Sequence, residues 1–210
     1  MTNYKEEFEK QGYCKVPLAI SCELRDFVTQ YALFDEMQDF TPDGSQVPAA
    51  HAKYADPAME SMLLHLQKII EDATGLALFP TYSFYRVYRP GDELVKHRDR
   101  YSCEISCTLC FNHSYDRSEY TWPISMDGKS IDLEPGDLVI YRGIDLEHWR
   151  EKFSISDPNA WHVQGFFHYV NANGQYANCK FDGRECIGED KLAKHPKRAI
   201  SNKSYIEYVN

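Results

Sequence analysis

The sequence contains no apolar run approaching the ~18 residues that a membrane-spanning helix needs. Its opening, MTNYKEEFEK, lacks the basic start and apolar middle of a secretory leader. Both absences predict a cytoplasmic chain with no membrane partner. Positive charge is also scarce: 23 Lys and Arg stand against 32 Asp and Glu, a formal net charge of −9. Non-specific duplex binding needs a broad cationic face, so nucleic acid is not an expected partner. The cysteines Cys14, Cys22, Cys103, Cys107, Cys110, Cys179 and Cys186 form no paired CxxC…CxxC arrangement. That argues against a structural zinc site or a disulfide framework. The single CxxC, Cys107 and Cys110, lies in the strand-like segment ISCTLCFN. Its two thiols therefore point to opposite faces and cannot share one ion.

What is present favours a core. Hydrophobic residues make up 43% of 210 and aromatics 14%, enough for one globular domain and too much for a disordered chain. GYCKVPL over 12–18 predicts a short strand. A helix over 21–33 follows, opening at Ser21 with Leu24, Phe27, Val28 and Tyr31 on one side. Residues 34–55, rich in Asp, Pro, Gly and Ala, read as a long loop and a candidate lid. The next helix is marked more sharply, with Asp56 as N-cap, Pro57 at its first position, apolar residues at Met59, Met62, Leu63, Leu66, Ile69 and Ile70, and Gly75 as its stop.

From residue 78 the texture becomes β. LFPTYSFYRVYRPG, EISCTLCFN, KSIDLEPGDLVIYRG and WHVQGFFHYV are each bounded by Gly, Pro, Asp or Asn. Strands in succession after a helical start predict a mainly β barrel or sandwich buttressed by N-terminal helices. The last forty residues carry more Lys and Arg and read as a solvated extension.

One constellation suggests chemistry. His97 and Asp99, in KHRD, fall two apart and so on the same side of an extended strand. His148, in LEHWRE just past the strand of LEPGDLVIY, is the candidate third ligand. Two His and one carboxylate on one face of an octahedron leave three open positions, which suits Fe(II) that must also take a bidentate co-substrate and O2. Alone, an HxD pair is a weak signal; its β-rich setting gives it weight.

In YRPGDELVKHRD, LEPGDLVIYRG, LEHWRE and FFHYV, spanning Leu78 to Val170, the sequence resembles the Fe(II)/2-oxoglutarate-dependent oxygenases, in particular the prolyl-4-hydroxylase-like branch of bacterial and phage type. The resemblance implies a double-stranded β-helix, or jelly roll, over 78–170, supported by a helical segment 1–77 of the same domain and followed by a C-terminal extension 171–210. It implies iron held by His97, Asp99 and His148, with 2-oxoglutarate as co-substrate, O2 as oxidant and ascorbate as reductant. It also implies hydroxylation of a C–H bond in a prolyl or other peptidyl residue, or in a small molecule, with release of succinate and CO2. Tyr88, nine residues before His97, matches the family's tyrosine donor to the distal carboxylate of 2-oxoglutarate.

The sequence departs from the family at the usual Lys or Arg of the last strand, where Pro158 or His162 falls. Two arginines are candidates to replace it. Arg150 shares the strand face of His148, and Arg86 shares that of Tyr88; an inward guanidinium needs a carboxylate, supplied by 2-oxoglutarate or by an Asp or Glu of the chain. His168 shares the inward parity of the last strand, as a core histidine or as part of the site. Two other readings of the residues stay open: a cupin-like metalloenzyme that does not use 2-oxoglutarate, and a non-catalytic jelly-roll binding module.

Overall fold

The structure is a computed structural model that describes residues 3–188. Its elements are α1 (Tyr4–Gln11), β1 (Tyr13–Val16), α2 (Cys22–Gln38), β2 (His51–Tyr54), α3 (Pro57–Thr74), β3 (Leu78–Tyr88), β4 (Leu94–His97), β5 (Ile105–His113), β6 (Ile124–Met126), β7 (Lys129–Ile131), β8 (Leu138–Arg142), β9 (His148–Arg150) and β10 (His162–Asn171). The strands form a six-stranded sheet in the order β1-β8-β5-β10-β3-β2 and a four-stranded sheet in the order β4-β9-β6-β7. Each named strand pair is antiparallel.

The helices cover one face of the larger sheet. Phe8 of α1, Val28 and Ala32 of α2, and Leu63, Leu66 and Ile70 of α3 share a core with Tyr85, Val87, Leu109, Ile140 and Phe167 of the strands. Between the sheets lie two smaller apolar clusters, one around Tyr88, Leu94, Trp122 and Phe153 and one around Cys110, Ile124, Met126 and Tyr141. Cys107 packs into the helix-side core and Cys110 into an inter-sheet cluster, the opposite-face placement that strand alternation requires. No helix among the described residues is long and apolar enough to cross a membrane.

The helix α3 forms where its signals lie. Asp56 accepts from the amides of Ala58 and Met59, Pro57 occupies the first turn, and Gly75 ends the helix at φ 72°. α2 runs five residues beyond the predicted end at 33, and Phe27, placed with its apolar side by periodicity, is 65% exposed. Residues 34–55 therefore divide into the last turn of α2, a shorter loop, and β2. That loop is pinned at both ends. His51 Nδ1 accepts from the Thr41 amide and the amide of Ala52 donates to the carbonyl of Thr41, while Lys53 reaches the Asp35 carboxylate at 2.6 Å. The basic C-terminal stretch, 189–210, lies outside the described residues.

Asp56 ties α3 to α2 as well, because Tyr31 Oη donates to its other carboxylate oxygen at 2.6 Å. Asp56→Ala removes an N-cap and leaves that hydroxyl without its acceptor. The expected loss is about 1–2 kcal/mol of folding free energy, read as a lower urea midpoint; an unchanged midpoint refutes the capping account.

Candidate functional site

His97 closes β4, Asp99 follows it, and His148 opens β9, the strand that pairs with β4 in the register His97↔His148. This antiparallel pairing brings the two imidazoles side by side, with ring centroids 4.3 Å apart. One donor atom of each of His97, Asp99 and His148 lies within 4.8 Å of the other two. Asp99 Oδ1 stands 3.7 Å from His97 Nε2 and 3.6 Å from His148 Nε2.

Hydrogen bonds fix which nitrogen of each ring faces the carboxylate. His97 Nδ1 contacts the carbonyl of Val95 at 2.8 Å and His148 Nδ1 that of Leu146 at 3.0 Å. A carbonyl only accepts, so both Nδ1 atoms carry the proton and both Nε2 atoms keep a lone pair. Burial pushes both imidazoles toward the neutral form: His148 falls to about 4, and His97 is lowered by burial and by the neighbouring His148. Neutral rings with converging lone pairs are the form a metal ion binds.

Asp99 is held from its other oxygen. Ser106 on β5 donates to Oδ2 at 2.6 Å, and His168 Nδ1 on β10 lies 3.0 Å from the same hydroxyl. The hydroxyl proton goes to Asp99, so His168 donates to Ser106 and the chain runs His168, Ser106, Asp99. Gly143 makes room for this chain: a Cβ there would stand 2.5 Å from both Asp99 Oδ2 and Ser106 Oγ. Sequence reasoning singled out His168 by parity and missed Ser106 and Gly143. Their partners lie far along the chain, and the Gly in YRG was the one local hint.

His97, Asp99, His148 and His168 line a cavity of about 460 Å³ whose walls include Tyr82, Phe84 and Phe166. Arg86 also lines it. Its guanidinium, expected as a contact of the co-substrate, is instead engaged by Asp43 at 2.8 Å and by Gln46 at 2.6 Å, and both partners come from the loop after α2. Arg100, a second cation of the cavity wall, is held by both oxygens of Asp182 at 2.6 and 2.9 Å. The loop that the sequence offered as a lid is thus latched to β3. The tryptophans do not form the wall: Trp122 is buried between the sheets, and Trp149 and Trp161 lie elsewhere.

Arg150 and Tyr88 are enclosed rather than cavity-lining. Arg150 is 1% exposed on the same face of β9 as His148. It donates to the Trp122 carbonyl at 2.5 Å and to Gln164 Oε1 at 3.3 Å, and its Nε has no partner. No carboxylate pairs with it among the described residues. Burial lowers its pKa, as expected for an uncompensated cation. Tyr88 is fully buried, accepts weakly from Arg86 at 3.4 Å and packs edge-on against Trp122. His162, at the family's usual basic position, is no substitute cation. Burial and the Arg150 charge drive its pKa well below the ordinary value, and its ring is bonded to Gln164 at 2.7 Å and Tyr115 at 3.0 Å.

No family model matches the sequence, and no curated protein matches it. Solved structures do. A prolyl-4-hydroxylase of Pseudomonas putida superposes with a TM-score of 0.60 at 17% identity, over 79% of this chain and 96% of that one. SnoN, an alpha-ketoglutarate-dependent non-haem epimerase of nogalamycin biosynthesis, gives 0.66 at 10% identity over 80% and 81%. HygX of Streptomyces hygroscopicus, solved with nickel and 2-oxoglutarate, gives 0.61 at 9% identity over 82% and 88%. The chain thus has the fold of Fe(II)/2-oxoglutarate oxygenases, bacterial and viral prolyl hydroxylases among them.

Burial raises the Asp99 carboxyl from its ordinary 3.8 to about 6, against the lowering effect of Ser106. The folded value lies above the unfolded one, so in metal-free protein the ionised carboxylate weakens folding above about pH 6, and the penalty fades by about pH 4. Asp99→Asn should raise metal-free stability at about pH 7.5 by on the order of 1–3 kcal/mol. Urea denaturation at about pH 4 and 7.5 measures it; no gain at the higher pH contradicts the assignment of a largely enclosed carboxylate without a cationic partner.

Proposed function

We propose that this protein is an Fe(II)- and 2-oxoglutarate-dependent oxygenase of double-stranded β-helix architecture that hydroxylates a C–H bond. In this reading His97, Asp99 and His148 hold the metal and Arg150, with Tyr88, takes the distal carboxylate of 2-oxoglutarate. The observation that carries it is the pairing of a His-Asp-His group with a fully buried arginine that has no acid of its own. A guanidinium sealed in the interior without a counter-charge is costly. The site therefore has use for an anion, and a dicarboxylate supplies one on the strand face of His148.

Bound together, Fe(II), 2-oxoglutarate and O2 supply the oxidising chemistry that turns C–H into C–OH, releasing succinate and CO2. The chain's contribution is positional. The Val95 and Leu146 carbonyls fix the tautomers of the metal histidines, and Ser106 orients Asp99. Asp99 would fill one protein-side position of the metal, which would favour hydroxylation over halogenation because a halide would need that position. The walls of Tyr82, Phe84 and Phe166 exclude water and take the apolar part of a substrate, a peptidyl residue or a small molecule. Arg86 serves here as the bond between the Asp43 loop and the barrel.

A cupin-like metalloenzyme without 2-oxoglutarate is the second reading. It is favoured by one observation, that both arginines lining the cavity are already paired with carboxylates. Formation of succinate from 2-oxoglutarate, dependent on Fe(II), separates the two. His97→Ala and Asp99→Ala should abolish it. Arg150→Met, which keeps the volume, should raise the 2-oxoglutarate concentration for half-maximal turnover by about 10- to 100-fold with little change in metal binding. Unchanged 2-oxoglutarate dependence removes Arg150 from the site.

A further inference from the structure

Asp99 has a second set of neighbours. Cys103 ends the short 3-10 turn Tyr101–Cys103, and His168 sits on β10. One donor atom each of Asp99, Cys103 and His168 lies within 4.8 Å of the other two. Cys103 is 1% exposed and His168 5%. Asp99 and Cys103 come from the connection between β4 and β5 and His168 from β10, and the three meet beside the cavity that Asp99 and His168 line. Gly143 permits the approach here too, since a Cβ would stand 2.3 Å from the Cys103 carbonyl oxygen.

The donor set differs in kind from the His97 group. A thiol, an imidazole and a carboxylate are the ligands of four-coordinate zinc, and sulfur selects zinc over the harder Fe(II). Tyr82 Oη lies 3.1 Å from Cys103 Sγ. Charge is balanced, because a divalent ion on one thiolate, one carboxylate and one neutral imidazole leaves no excess. Arg100 lies over the Tyr82 ring at 4.6 Å and is neutralised by Asp182.

We propose that Asp99, Cys103 and His168 form a second metal site, selective for Zn(II), which shares Asp99 with the His97–Asp99–His148 group so that the two are filled in alternation. The site stands on its own geometry; its inhibitory consequence, zinc withdrawing Asp99 from the iron ligands, rests on the function proposed above. Binding breaks the S–H bond of Cys103 and forms S–Zn, with the proton released to solvent and no change of oxidation state.

The test is an anaerobic titration of metal-free His97→Ala protein with Co(II), the spectroscopic stand-in for Zn(II). A near-ultraviolet thiolate-to-cobalt charge-transfer band is expected, bleached by stoichiometric Zn(II). It should disappear on adding Cys103→Ser, which keeps a hydrogen bond to Tyr82, and on adding His168→Gln, whose amide can still bond to Ser106. It should persist on adding Cys22→Ser, which removes an exposed thiol. No band in His97→Ala, or a band that survives Cys103→Ser, overturns the site. Adding Asp99→Ala should weaken Co(II) binding by at least about 10-fold; unchanged affinity overturns the sharing of Asp99. Neither Fe(II) nor 2-oxoglutarate enters the titration, so a wild-type protein that forms no succinate would sink the iron reading and leave this result standing.

Discussion

The register of β10 between β3 and β5 is the constraint on which the interior depends. β10 is paired along both edges, with Gln164 opposite Arg86 and Cys110, Phe166 opposite Phe84 and Thr108, and His168 opposite Tyr82 and Ser106. These side chains face the inter-sheet space, while Val163, Phe167 and Tyr169 alternate into the helix-side core. A slip of one residue would exchange the two sets, sending His162, Gln164 and His168 into an apolar layer with no partners for them. Packing of α3 against β3 through Leu63, Leu66 and Ile70 makes that slip prohibitive. The helices thus hold the polar interior in place without touching it.

That interior is polar because its groups answer one another across strands. Tyr115 bonds to His162, His162 to Gln164, and Gln164 to Thr108 at 2.5 Å, in a closed row beside Arg150. Each member of the row has its partner, while Arg150 Nε, like His113 Nε2 and Ser102 Oγ among the described residues, has none. In a satisfied network, a single unmatched cationic group is the conspicuous feature. The formal charge of −9 therefore says little about the surroundings of the site, where the buried Arg86 and Arg150 and the more exposed Arg100 sit in different states. Arg86 and Arg100 are neutralised by Asp43 and Asp182, and Arg150 is not.

Local signals made much of this legible. Asp56, Pro57 and Gly75 announced α3 because capping chemistry is written within a few residues. The pairing of His97 with Asp99 was legible from strand parity, and His148 as their candidate companion from its place just past the LEPGDLVIY strand together with the resemblance. The same parity turned Arg150 and Arg86 inward correctly. It could not say which arginine would find an acid, because Asp43 lies in a loop whose path is set by His51, Lys53 and Asp35. The end of α2 was missed for a related reason: residues 34–38 are mixed in polarity, and Phe34 and Met37 face outward at 58% and 79% exposure. Ser106, an ordinary residue in a strand, gains its role solely from lying across from His168.

Gly143 is the point where β8 and the Asp99 segment meet. It follows β8 directly, its amide donates to Glu104 and its carbonyl accepts from the Asp99 amide at 2.9 Å. Backbone bonds on both sides, together with the missing side chain, draw Asp99 against Ser106 and Cys103. The carboxylate is then fixed in position but not neutralised, since a hydroxyl supplies one hydrogen bond and no charge. A protein that only needed to fold would gain by placing an amide or an apolar residue there. Holding an ionisable acid rigid, largely enclosed and flanked by neutral imidazoles is a cost in stability that makes physical sense where a cation comes to occupy the space between them.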